Sequence, residues 1–176
     1  MFIAAATALL LLQQAPAEDI DWDKEFGVEE RERDPETGEF PVDPYEQSNA
    51  NAGAKPFDGT SMAEAFGGQD GIRRIVERTV ETSEADPRIS EIFVAHDMVR
   101  LKRTLFEQFC YILDAGCDYT GRDLAAAHRD MGLQNRDFNR FVEHLQAAMD
   151  AEKVRFRDQN RFLAKLAPMH RVTVER

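Results

Sequence analysis

The chain of 176 residues lacks the short motifs that mark many enzyme active sites. It contains no HExxH or CxxC metal motif, no GxSxG nucleophile elbow, no phosphate-binding P-loop and no dinucleotide-type glycine pattern. It has only four histidines and two cysteines. Metal and nucleophile sites of the usual local kind are therefore not expected.

The chain also has little positive charge. Its net charge is -11, and residues 18–58 hold 14 Asp or Glu against 4 Lys or Arg. The rest of the chain has 19 acids and 18 bases, so the part after residue 58 is close to neutral. Nucleic acids and anionic membrane surfaces are attracted by strong positive fields. Neither is expected as a partner.

No apolar run is as long as the roughly 20 residues that a membrane-spanning helix needs. Residues 1–12 are apolar, and Ala15, Pro16 and Ala17 follow them, which fits the small-residue cleavage pattern of a secretory signal. Residues 1–17 are therefore predicted to be a signal that exports the protein to the periplasm. The alternative is an uncleaved hydrophobic anchor that associates with the membrane, or a helix that binds a partner.

Residues 18–58 combine many acids with turn-forming residues and few aliphatic ones. Such a segment buries too little apolar surface to offset its chain entropy. It is predicted to be an acidic, disordered tether, although Trp22, Phe26, Phe40 and Tyr45 could dock on the folded part. The tether could also reach a redox or assembly partner.

From about residue 59 to residue 176, apolar residues recur at helical spacing, and no alternating strand pattern is convincing. Asp97 and Asn135 stand where helix N-caps are expected, and Pro168 should kink or shorten the last helix. These features predict one all-α domain with a shared core. The predicted helices cover about 69–83, 87–93, 97–113, 122–131, 136–150 and 154–172.

Cys110 and Cys117 leave two alternatives open. On one continuous helix their Cα atoms would be about 10 Å apart, beyond the limit of about 7 Å for a disulfide. A chain reversal between them, which Gly116 would allow, makes the bond feasible. Otherwise both are partly buried thiols.

The run from Tyr119, Thr120 and Gly121 to His128 and Leu133 resembles the proximal region of the group I truncated haemoglobins. In that family a Tyr-Thr-Gly loop precedes a short helix that carries the iron-binding histidine. Further similarities occur in the same order along residues 62–172. They lie at residues 67–68, 86–87, 92–93, 98–102, 138 and 163–168.

The resemblance implies a truncated-globin fold, a two-on-two helical sandwich, that encloses haem b (iron protoporphyrin). It makes His128 the proximal iron ligand. A haem site needs an imidazole on one face and apolar packing around the ring. By similarity, Phe93 packs on the porphyrin and four residues line the proximal side. The full set implied for haem binding is Phe93, Leu101, Leu105, Phe109, Tyr119, His128, Met131, Leu133, Phe138 and Phe141.

The predicted distal side departs from the family. The position that usually holds a ligand-stabilising Tyr falls on Val80, and the position that often holds Gln falls on Leu105, with Leu101 one turn earlier. O2 gains from hydrogen-bond donors when it binds haem. The sequence therefore predicts weak O2 binding relative to CO or NO.

Two further groups of residues have alternative interpretations. His96 could serve as a sixth iron ligand or be an exposed loop residue, whereas His144 and His170 are expected to be structural. Four cationic residues lie where haem propionates would emerge, although exposed helix faces explain such charges equally well. They are Arg100, Lys102, Arg103 and Arg129.

The sequence therefore predicts a haem protein that binds a diatomic gas (O2, NO or CO) as a sensor, scavenger or redox protein. Ligand binding is favoured over enzymatic NO or O2 redox chemistry at the haem. The alternative is a globin-fold structural or assembly subunit without haem chemistry.

Overall fold

The computed structural model describes residues 32–174, which are helical and contain no β-strand. The predicted all-α class is confirmed for this part of the chain. The predicted export signal and residues 18–31 of the predicted tether lie outside it. The α-helices, numbered here in chain order, are α1 (Ser61–Ala65), α2 (Gly68–Ala85), α3 (Met98–Ile112), α4 (Leu124–His128), α5 (Asn135–Ala151), α6 (Phe156–Leu166) and α7 (His170–Thr173).

Three short 3-10 helices complete the described elements: Asn49–Ala52, Ser90–Phe93 and Ala167–Met169. The last one contains Pro168 and separates α6 from α7, so the expected interruption by proline is confirmed. No helix within residues 32–174 is long and apolar enough to cross a membrane.

The core is built around α2, which packs against both α3 and α5. Residues at three- and four-residue spacing on α2 are fully buried, as an amphipathic helix requires. Phe162 of α6 packs edge-on against Phe66 and Phe109, with ring centroids 5.2 and 4.9 Å apart. The short helix α4 packs against α7, and Leu124 of α4 also contacts the hydrophobic core.

Side-chain caps explain where several helices begin. The Asp97 carboxylate accepts a hydrogen bond from Val99 N at 3.2 Å, which confirms the predicted cap of α3. The predicted cap of α5 is off by one residue, because Gln134 occupies the cap and its backbone N donates to the Asp137 carboxylate at 2.9 Å. The predicted helix 122–131 is also too long. It ends at His128, because Arg129 is extended and Asp130 has a φ of 63°.

The prediction of a disordered tether over residues 18–58 is wrong for residues 33–57, which we call the strap. The strap packs on the helical domain, and the compact unit begins at Arg33 rather than at residue 59. Ala52 is fully buried, and Phe57 N donates to Ile112 O at 2.8 Å. Specific long-range hydrogen bonds and ion pairs hold this acid-rich segment in place. Amino-acid composition does not reveal such bonds.

Cys110 and Cys117 form a disulfide, with their Cα atoms 5.6 Å apart. The chain reverses between them after α3, with positive φ at Asp114 and Gly116. The reversal that the sequence required for this bond is therefore present. The disulfide joins the end of α3 to the loop that leads to Tyr119.

Candidate functional site

Helix α4 is a single helical turn that presents His128. The Asp123 carboxylate caps it by accepting a hydrogen bond from Ala126 N at 3.0 Å. At its other end, His128 Nδ1 lies 2.8 Å from Leu124 O. A carbonyl oxygen only accepts, so Nδ1 must carry the proton and donate it. In the neutral ring, the lone pair is therefore on Nε2.

The surroundings of His128 favour this neutral form. Burial lowers the pKa of His128, and the positive charge that His96 can carry lowers it further, whereas the bond to Leu124 O opposes the shift. Within residues 32–174, Nε2 has no hydrogen-bond partner, although the ring is partly buried. The arrangement offers one imidazole nitrogen that is unprotonated and fixed in orientation. A histidine that binds a transition metal needs both properties.

Four of the predicted haem-lining residues follow His128 closely in the sequence, and all four are half-buried. They stand apart from the main hydrophobic cluster, whereas Leu101 and Leu105 of α3 pack against it. One of the four also contacts the last helix, because the Phe138 ring packs edge-on against His170 at 4.9 Å between centroids. A set of large apolar side chains, partly covered but outside the core, suits the edge of an apolar prosthetic group. The four are Met131, Leu133, Phe138 and Phe141.

The remaining predicted residues are buried more deeply. Phe93 lies at the end of its 3-10 helix with 9% of its surface exposed, and Phe109 belongs to the core beside Phe162. Tyr119 is also buried, and its hydroxyl donates to Arg122 O at 3.0 Å. This bond closes the Tyr-Thr-Gly loop tightly, since a Cβ on Gly121 would lie 2.2 Å from the Tyr119 oxygen. Gly121 is thus required for the loop that precedes α4.

The predicted distal positions are apolar, and nearby hydroxyl groups are already engaged. Val80 is fully buried. Thr79 and Ser83 of α2 each donate to a carbonyl of their own helix at 2.7 Å, and Thr104 of α3 does the same at 2.9 Å. A hydroxyl has only one proton to donate. These groups are therefore not available as donors to a small ligand.

Three of the four cations expected near haem propionates have other partners. Arg100 and Arg103 both bind Glu39 of the strap, whose side chain is 7% exposed, and Arg103 also binds Glu107. Lys102 lies 3.5 Å from Glu81, and Arg129 is exposed. Sequence analysis missed Glu39. The only indication of its contact in the sequence is the neighbouring aromatic residues of the acidic segment, which could dock on the folded part.

The other three histidines lie in different surroundings. His96 is exposed in the loop before α3, and His144 Nε2 lies 3.1 Å from the buried carboxylate of Asp86. His170 Nε2 lies 2.6 Å from Asn135 Oδ1. Within residues 32–174, no three His, Cys, Asp or Glu side chains form a cluster that could hold a metal ion.

A family model described as bacterial-like globin matches residues 61–175. Curated proteins give the same result. A group 1 truncated hemoglobin from Mycolicibacterium paratuberculosis is 28% identical over 109 residues, which are 62% of this chain and 80% of that protein. A group 1 truncated hemoglobin from Tetrahymena pyriformis is 27% identical over 89 residues, which are 51% of this chain and 74% of that protein. The resemblance to group I seen in the sequence is thereby confirmed.

Solved structures are similar in fold. The truncated hemoglobin from Tetrahymena pyriformis in its Fe(III) form has a TM-score of 0.62 at 22% identity, over 65% of this chain and 98% of that one. The 2/2 hemoglobin from Synechococcus sp. PCC 7002, solved in the cyanomet state with covalently attached heme, has a TM-score of 0.61 at 23% identity, over 66% and 99%. The predicted two-on-two fold is confirmed.

Proposed function

Because the chain belongs to the bacterial-like globin family, we propose that it binds haem b through His128 and takes up a diatomic gas there. The observation that carries this proposal is the hydrogen bond from His128 Nδ1 to Leu124 O, which leaves Nε2 with the lone pair. When bound, the haem iron supplies an open coordination position for the gas. The residues of this chain supply orientation, burial and selectivity.

The proximal residues prepare the imidazole. Leu124 O fixes the tautomer and the ring orientation of His128, as second-shell carbonyls do for metal-binding histidines. Burial favours the neutral ring by lowering its pKa. The small residues Ala125, Ala126 and Ala127 before it allow the helix backbone to approach a flat group closely.

The apolar residues exclude water and determine which ligand is favoured. Phe93, Leu101 and Leu105 are suited to cover the ring on the side that receives the gas, while Phe138 and Phe141 are suited to cover the proximal side. O2 depends on hydrogen-bond donors more than CO does. With the nearby hydroxyls engaged in their own helices, we expect O2 to be held weakly. This favours a role as a sensor, scavenger or redox protein over oxygen storage.

The disulfide supports an exported location. Bonds such as Cys110–Cys117 persist in oxidising compartments, of which the bacterial periplasm is one. We therefore propose that the protein acts outside the reducing cytosol. Cell fractionation followed by thiol labelling should find it in the oxidised, exported fraction. A reduced protein in the cytosol would contradict this location.

The test of function is haem uptake measured by absorption. Apo-protein titrated with haemin should develop an intense Soret band at a ratio of one haem per chain, and His128→Ala should lose it or regain it with added imidazole. His144→Ala is the matched control, since His144 interacts with Asp86. An unchanged spectrum in His128→Ala would refute the assignment. If the wild-type protein took up no haem, the alternative of a structural globin subunit would be favoured.

A further inference from the structure

The strap lies before the part of the chain that matches the globin family, which begins at residue 61. It has little secondary structure, with one 3-10 helix at Asn49–Ala52. Nevertheless, Glu39 and Ala52 are buried, and Ala52 O accepts a hydrogen bond from Gln108 Nε2 of α3 at 2.9 Å. An acid-rich segment held at such specific points has a defined place in the fold.

The strap binds the backbone of the loop that leads to α4. Asn49 Oδ1 accepts from Tyr119 N at 2.7 Å, and the Tyr45 hydroxyl donates to Thr120 O at 2.9 Å. Asn51 Nδ2 donates to Gly121 O at 3.3 Å. Loop backbone groups have no helical partners of their own and must be satisfied elsewhere. Three consecutive loop residues therefore depend on strap side chains.

The strap also contacts α4 directly, at Gly53. A Cβ on this residue would lie 2.5 Å from Leu124 Cδ1 and 3.2 Å from Met169 Cε, so a side chain here would displace the Leu124 side chain. Leu124 is the first residue of α4, and its carbonyl accepts the His128 Nδ1 hydrogen. A continuous series of contacts runs from the strap through Leu124 to His128.

At its other end the strap is bound to α3. Glu39 binds Arg100 and Arg103, and Arg103 Nη1 donates to Thr120 Oγ1 at 2.6 Å. Thr120 N in turn donates to Glu107 Oε2 at 2.9 Å. The strap thus contacts both the helix that carries Leu101 and Leu105 and the loop that precedes α4.

From these contacts we infer that the strap is the positioning element of the proximal histidine. Tyr45, Asn49 and Gly53 act as positioning residues. They hold the loop and the first turn of α4, and thereby hold His128 Nε2 in the orientation that retains haem. This inference rests on the proposed haem function. It assigns a role in ligand placement to a segment outside the globin-matched residues.

The test compares neighbouring strap variants. Asn49→Ala removes the acceptor of Tyr119 N and the donor to Asp118, whereas Ser48→Ala removes only a bond inside the strap, to Ala50 N. Tyr45→Phe is a milder variant that loses the hydroxyl and keeps the ring. Each is loaded with haem and mixed with an excess of a haem-scavenging apoprotein. Asn49→Ala loses two hydrogen bonds to the loop and should release haem about tenfold faster than the wild type. Tyr45→Phe loses one and should release it about fivefold faster.

A second readout uses the apo-protein, so that it does not depend on haem. NMR of the His128 side chain should show faster solvent exchange of the Nδ1 proton in Asn49→Ala and an unchanged rate in Ser48→Ala. Gly53→Ala and Gly59→Ala form a further matched pair. Both residues have a φ near +78°, but a Cβ on Gly59 meets nothing within 4 Å. Only Gly53→Ala should accelerate exchange and haem release.

The outcomes separate the two proposals. Wild-type rates of haem release and exchange in Asn49→Ala and Tyr45→Phe would overturn the positioning role while leaving haem binding intact. Equal acceleration in Asn49→Ala and Ser48→Ala would also overturn it, because general loosening would then explain both. If the wild-type protein bound no haem, the proposed function would fail. The exchange measurement alone would then decide whether the strap positions His128.

Discussion

Replacing Glu39 should release the strap from α3 and destabilise the protein by an amount that the structure allows us to estimate. The Glu39 carboxylate accepts hydrogen bonds from Arg100 Nε at 2.9 Å, from Arg103 Nη2 at 3.0 Å, and from Arg103 Nε. Removing one partner of a fully buried ion pair costs about 3–5 kcal/mol. The Arg100 and Arg103 side chains are 22% and 34% exposed, so water stabilises them after the change. We therefore expect Glu39→Ala to lower the free energy of unfolding by about 2–3 kcal/mol.

The same carboxylate should give a characteristic pH dependence. The hydrogen bond from Arg103 is the main cause that lowers the pKa of Glu39, with Arg100 adding to it and burial opposing it. Because its pKa is lower in the folded state, the contribution of Glu39 is fully present above its ordinary value of 4.5. The contribution is lost as the pH falls through the folded-state pKa. The stability difference between the wild type and Glu39→Gln should therefore shrink on acidification.

The assay is urea denaturation, followed by circular dichroism, of the wild type and the two Glu39 variants at pH 7 and at a series of pH values below 5. Subtracting the free energy of unfolding of each variant from that of the wild type cancels the titration of the other carboxylates. Limited proteolysis at pH 7 should also cleave the strap faster in the variant, while the helical domain persists. Equal stabilities at pH 7, or a difference that stays constant down to low pH, would refute the reasoning.

Three further predictions concern the rest of the described structure. Cys117→Ser should lower the free energy of unfolding by about 2–3 kcal/mol in urea denaturation, because the Cys110–Cys117 bond closes a short loop, and an unchanged stability would contradict this. Leu105→Gln adds a donor on the predicted distal side, so stopped-flow measurements on haem-loaded protein should show O2 release slowed by about tenfold and CO release little changed. Slow O2 release from the wild type would mean that another donor reaches the ligand. Asp86→Asn weakens a carboxylate held by Arg88, Arg140 and His144, so thermal denaturation should show a lower melting temperature, and an unchanged one would contradict this.

The helical part of the fold could be predicted because its signals are local. On α2 and α3, apolar residues recur every three or four positions and polar residues occupy the positions between them. Asp97 caps α3 where the sequence predicts a cap. The errors at Gln134 and after His128 are errors of helix boundaries. They arise because the exact end depends on the conformation of one or two residues, such as Asp130 with its positive φ.

The candidate site was predictable only in part. His128 could be identified because its whole block, from Tyr119 to Leu133, resembles one family. Its hydrogen bond to Leu124 O follows from the helical turn itself. The strap could not be identified, because its contacts join residues that are far apart in sequence. Arg103 and Glu39 are separated by 64 residues, and Tyr45 and Thr120 by 75. Composition describes the average character of a segment and does not show which distant residues it contacts.

The position of the strap in the chain also affects the order of folding during synthesis. The strap leaves the ribosome before the helices, yet Tyr45 and Asn49 bind residues that are made 75 and 70 positions later. Contacts of such long sequence separation form slowly, because the intervening chain must first be ordered. The nascent strap must therefore remain undocked until α3 and the loop after it have been made. Its net negative charge suits that interval, since an acidic segment resists premature association.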